Sequence, residues 1–75
     1  MRSLREIAYE IQSDWKKVYF GAEPYLDAMK SLTRIDDSYG YDSGSSIVRY
    51  FLANSSSWRG DVAKRVKKEL KDMLK

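Results

Sequence analysis

The chain has 75 residues with 14 basic and 11 acidic side chains, a net charge of +3, and neither cysteine nor histidine. That length allows one domain. The missing residue types exclude disulfides and thiolate metal sites, and remove the only side chain that titrates near neutrality unperturbed.

The first fifteen residues, MRSLREIAYEIQSDW, hold no continuous apolar run. A secretory signal is therefore not expected there. No segment approaches the roughly 18 apolar residues of a membrane span. A cytoplasmic protein without a membrane span is the expectation. In the same stretch Leu4, Ile7, Ala8, Ile11, Trp15 and Val18 follow the i, i+3, i+4, i+7 pattern, which predicts a helix over 4–18. Ser3 and Glu6 form an S-x-x-E capping box at its start, and Gly21 is a natural stop. Tyr9 lies off the apolar stripe, and Tyr19 and Phe20 crowd the helix end.

A second helix is expected over 23–33. Pro24 suits a first helical turn, and Leu26, Met29 and Leu32 supply its apolar stripe. The short connection around Gly21 suggests an antiparallel pair. TRIDDSYGYDSGSS, residues 33–46, reads as a loop, with Asp42 or Ser43 able to cap the next helix. Asp36, Asp37 and Asp42 lie close in sequence, yet they match no calcium-loop pattern, so solvation and capping are the expected roles.

A third helix is expected over 45–55. Ile47, Val48, Tyr50, Phe51 and Leu52 cover most of its circumference, which suggests the most buried helix, although the β-branched and aromatic content also permits a strand. The turn Asn54-Ser55-Ser56-Ser57 ends it; its sequon pattern is read as a turn rather than a glycan site.

The fourth helix is expected over 58–74, with Trp58, Val62, Val66, Leu70 and Met73 on one stripe. Ser56 or Ser57 is the expected cap, so Arg59-Gly60-Asp61 falls in the first turn and reads as helix rather than adhesion loop. Residues 58–75 hold seven basic and three acidic side chains, so the positive charge sits here. At about 100° per residue, Lys64, Lys67, Lys68, Lys71 and Lys75 share the face opposite the stripe. Asp61 with Arg65, Arg65 with Glu69, and Lys68 with Asp72 offset part of their repulsion.

These elements predict an all-α fold, a small single-domain bundle of four short helices spanning 1–75, with Trp15, Phe51 and Trp58 central. No catalytic, metal or cofactor-binding residue is expected, and no cofactor. No Gly-rich phosphate loop is present, and without histidine or cysteine a general acid or base must be a perturbed carboxylate, lysine or tyrosine. A non-catalytic binding module is the expected function. The candidate partner-binding residues are Tyr39, Tyr41, Arg59, Lys64, Lys67, Lys68 and Lys71. A protein partner is favoured, because tyrosines suit interfaces; the alternative for Tyr39 and Tyr41 is that they fold back to lid the small core. Nucleic acid on the basic face of the last helix is the alternative, with the lysines placed for phosphate contacts.

Two stretches, WKKVYFGAEPYLDAM at 15–29 and YGYDSGSSIVRYFLANSSSWRGDVAKRVKKELK at 39–71, resemble small proteins without assigned activity that are encoded in prophages and integrative elements of Gram-positive bacteria. The resemblance implies an accessory role in a mobile element: regulation, interference with a host factor, or help with DNA transfer. It implies no functional residues.

Overall fold

Ser3 opens the first helix as its sequence suggests. Its hydroxyl accepts from the Glu6 N–H at 3.1 Å, and its own N–H donates to Glu6 Oε1 at 3.2 Å. The structure, a computed structural model, describes residues 2–40 and 42–74, with Tyr39 in its backbone alone. Four helices carry most of it: α1 (Leu4–Asp14), α2 (Glu23–Met29), α3 (Gly44–Ala53) and α4 (Asp61–Met73). All four expected helices form, and each is shorter than its periodicity suggests.

The reasons for shortening are local. Helix α1 ends at Asp14 rather than at 18, because Trp15 leaves helical geometry (φ −91°, ψ 89°) and lays its indole against Trp58. Helix α2 begins with Pro24 in its first turn, as expected, and ends at Met29. Tighter turns then carry Leu32 into the core: Ser31 N–H donates to Ala28 O at 3.0 Å, and Leu32 N–H to Met29 O at 3.1 Å. The expected loop at 33–46 contains one addition, a two-residue antiparallel pairing of Ser38–Tyr39 (β1) with Asp42–Ser43 (β2). Ser43, one of the two expected caps, accepts from the Ser46 N–H and starts α3.

Helix α4 corrects the sequence reading most. It starts at Asp61, not at Trp58, and neither Ser56 nor Ser57 caps it. Its N-cap is Gly60 at φ 113°, ψ −178°, a conformation almost closed to residues with a Cβ. Arg59 and Gly60 therefore lie before the helix, and Asp61 is the first helical residue. All three are exposed.

The core gathers one face of each helix. Leu4, Ile7, Ala8 and Ile11 meet Leu26, Ala28 and Met29, then Ile47, Val48 and Phe51, then Ala63, Val66 and Leu70. Helix α1 touches both α2 and α4, and α2 packs on α3. Trp15, Phe51 and Trp58 are all buried, as expected. Trp15 stacks on Trp58 with centroids 5.9 Å apart, and Phe51 meets both indoles edge-on at 6.2 and 6.4 Å. The Trp58 indole N–H donates to Asp14 Oδ2 at 2.8 Å, so the buried ring keeps its polar atom satisfied. Helix α3 is less enclosed than its apolar circumference suggests, since Arg49 and Tyr50 both face solvent.

Arg2 ties α1 to α4. Its guanidinium reaches Glu10 Oε1 and Glu69 Oε1, each at 2.6 Å, while Arg65 also pairs with Glu10. The expected pairs Asp61–Arg65 and Arg65–Glu69 are absent among the described residues: Arg65 turns to Glu10 of α1, and Glu69 turns to Arg2 just before it. Only Lys68–Asp72 forms as expected, at 3.4 Å.

Candidate interaction surface

The expected basic face of α4 divides in two. Lys64, Lys68 and Lys71 are exposed, and Arg59 is exposed just before the helix. Lys67 is not free in this way. Its ammonium donates to Ser55 O at 2.8 Å and Trp58 O at 2.7 Å, and lies 5.8 Å from the centroid of the Trp58 ring. Burial, and then the charges of Lys71 and Arg59, push its pKa below the ordinary lysine value. Lys67 thus holds the turn between α3 and α4 through two backbone carbonyls. The same turn buries Ser55, whose hydroxyl donates to Leu52 O at 3.0 Å. Lys75, Tyr41 and the side chain of Tyr39 lie outside the described residues, so the candidate partner-binding rings of Tyr39 and Tyr41 are not placed.

The three loop aspartates do local work. Asp37 Oδ2 accepts from the Thr33 and Arg34 N–H groups, both at 3.0 Å, and these bonds hold its carboxyl below the ordinary aspartate range. Asp36 pairs with Arg34 at 3.2 Å. Asp42 takes part in the β pairing. A groove of about 510 Å³ lies between this loop, the start of α1 and Met73. Its charged walls are already engaged: Arg2 with Glu10 and Glu69, Glu6 with Ser3, Arg34 with Asp36.

The most unusual surface lies elsewhere. Phe20 is 76% exposed, beside Tyr19 at 44%, and Tyr50 on α3 is 50% exposed. With the ring of Tyr25 they form two pairs, taken together as one ridge. Tyr19 and Phe20 lie 4.8 Å apart, and Tyr50 lies 5.4 Å from Tyr25 of α2. Gly21 and Asn54 link the two pairs. A Cβ on Gly21 would stand 2.6 Å from Tyr19 Cε2 and 3.0 Å from Asn54 Oδ1, and Asn54 Nδ2 donates to the Tyr50 carbonyl at 2.9 Å. Gly21 is therefore less a helix stop than the place where the Tyr19 ring lies on bare backbone. Tyr9 is a separate exposed ring, covered on one side by the Lys30 ammonium at 5.8 Å.

Sequence reasoning sees the crowding of Tyr19 and Phe20 but assigns neither to a site, and it reads the helix that carries Tyr50 as the most buried. The available signal is the pair of adjacent aromatics directly before a glycine: one of the two must point away from the core. No family model, no curated protein and no solved structure matches the chain. No helix among the described residues is long and apolar enough to cross a membrane.

Proposed function

We propose that the chain is a non-catalytic binding module that takes a protein partner on the aromatic ridge of Tyr19, Phe20, Tyr25 and Tyr50. One observation carries this reading: a small domain leaves its Phe20 ring 76% exposed next to further exposed rings. Single exposed apolar residues are ordinary; adjoining ones mark interaction surfaces. Aromatic side chains also dominate interface energetics, because they bury a large area while fixing few rotors. An accessory role in a phage or mobile element agrees with the resemblance of the two stretches above.

The test is a matched capture with the tagged wild-type chain, Phe20→Ser and Lys64→Glu/Lys71→Glu. A protein retained by the wild type and the double variant, and lost with Phe20→Ser, supports the ridge. A protein retained by all three would count against it.

Nucleic acid on the basic face of α4 is the second reading. It is favoured by Arg59, Lys64 and Lys71, which are exposed and make no ion pair among the described residues. Binding of that kind weakens steeply with salt and with Lys64→Glu/Lys71→Glu, and ignores Phe20.

A further inference from the structure

The charges that neighbour the ridge residues in the chain narrow its occupant. Lys16 and Lys17 precede Tyr19 in the chain, and Arg49 precedes Tyr50; all three are exposed. None makes an ion pair among the described residues. Within residues 16–25 and 49–54 they stand as three cations against one carboxylate, Glu23. Elsewhere Arg34, Arg65 and Lys68 are paired with carboxylates, while Arg59, Lys64 and Lys71 on the α4 side are not among the described residues.

We infer that the ridge takes an acidic segment of another protein, with an apolar or aromatic side chain of that segment packed against Phe20 and its carboxylates facing Lys16, Lys17 and Arg49. This rests on the docking reading above and adds the chemistry of the partner. A ring set with an unbalanced positive rim discriminates by charge as well as by shape, because like charges brought together disfavour the wrong partner. The same rule disfavours a second copy of this chain. A two-fold contact through the ridge would bring the cations of the two copies into one interface. Single-stranded nucleic acid also suits rings and cations. Here, however, Tyr25 and Tyr50 are already packed on each other, as are Tyr19 and Phe20. That favours an occupant anchored by one side chain over a run of stacked bases.

The test uses two displayed peptide libraries, each with a central Trp, Phe or Leu, one flanked by Asp and Glu and the other by Lys and Arg. Selection on the full chain should enrich the acidic library. The recovered peptides should lose roughly thirtyfold in affinity against Phe20→Ser and roughly tenfold against Lys16→Glu/Lys17→Glu. Circular dichroism checks that both variants keep their helices. Binders that need Phe20 but come equally from both libraries, or from the basic one, overturn the acidic assignment and leave the docking reading standing. If neither library yields a Phe20-dependent binder, both readings fall. A Phe20-dependent dimer in sedimentation, or Tyr19–Gly21 amide shifts with oligothymidylate and none with the acidic peptides, replaces the inferred partner by a second copy or by nucleic acid.

Discussion

Two groups of aromatic rings meet opposite fates in this protein. Trp15, Phe51 and Trp58 lock together inside, and the one polar atom that Trp58 brings with it is answered by Asp14. Tyr19 with Phe20 and Tyr25 with Tyr50 also pair ring to ring, yet Tyr19, Phe20 and Tyr50 do so at the surface. Two of the inner rings are placed by chain breaks, since Trp15 closes α1 and Trp58 precedes the start of α4, while Phe51 lies within α3. The outer group is placed by what remains, after Ala22 and Leu26 have taken the buried positions nearby. Ring–ring contact alone therefore does not mark a core. Burial and a satisfied polar edge do.

The largest expected effect separates the groups at once. Trp58→Ala removes the largest of the fully buried side chains, the stacking on Trp15 and the bond to Asp14. Its cost should be about 3–5 kcal/mol, enough to unfold much of a 75-residue domain. Urea denaturation followed by far-ultraviolet circular dichroism measures it. A loss below about 1 kcal/mol would mean that Trp58 does not organise the core.

Next in size is the lysine that holds the α3–α4 turn. Lys67→Met keeps much of the aliphatic stem but removes the donors to Ser55 O and Trp58 O. Expected destabilisation is about 1–2 kcal/mol, against less than about 0.5 kcal/mol for Lys64→Met on the exposed face. Equal midpoints for the two variants would return Lys67 to the solvated face.

Glu10 sharpens the comparison through pH. Hydrogen bonds from Arg65 and then Arg2 hold its carboxyl below the ordinary value of 4.5. A carboxylate whose folded value is depressed contributes stability that is full above its unfolded value and lost as pH falls through the folded one. Stability should therefore decline below about pH 4.5. Part of that decline should vanish in Glu10→Gln, which itself costs about 1 kcal/mol at neutral pH. Acid titrations of the two proteins with identical slopes would remove Glu10 from the account.

Much of the inner group was legible in the sequence. Leu4, Ile7, Ala8 and Ile11 announce α1 by spacing, Ser3 and Glu6 announce its cap, and Trp15, Phe51 and Trp58 stand out by size. The helix ends were less legible. Periodicity continues past Asp14 to Trp15 and Val18, and backward from Asp61 to Trp58, because buried residues outside a helix can fall in the same register as those inside it. Gly60 carried the missing signal for α4, and only the backbone angle made it decisive. Lys67 and Lys64 are indistinguishable by charge counting, since what separates them is the position of two carbonyls from the preceding turn. The ridge was least legible of all. Tyr19 and Phe20 belong to no periodic segment, and Tyr50 sits in an apolar run that suggests burial.

The smallest expected effect is the most telling one. Phe20→Ser removes a large ring from the outer group, and its stability should stay within about 0.5 kcal/mol of the wild type. The reasoning is direct: a ring that is 76% exposed has little burial to lose. Its loss even removes apolar surface that water must cover. Tyr19 would lose its neighbour at 4.8 Å but keep its place on Gly21. Matched urea midpoints for Phe20→Ser and the wild type, set beside the collapse of Trp58→Ala, would show that the two ring groups serve different ends. A destabilisation above about 2 kcal/mol would instead make Phe20 a core residue in solution, and the surface ridge would lose its most exposed member.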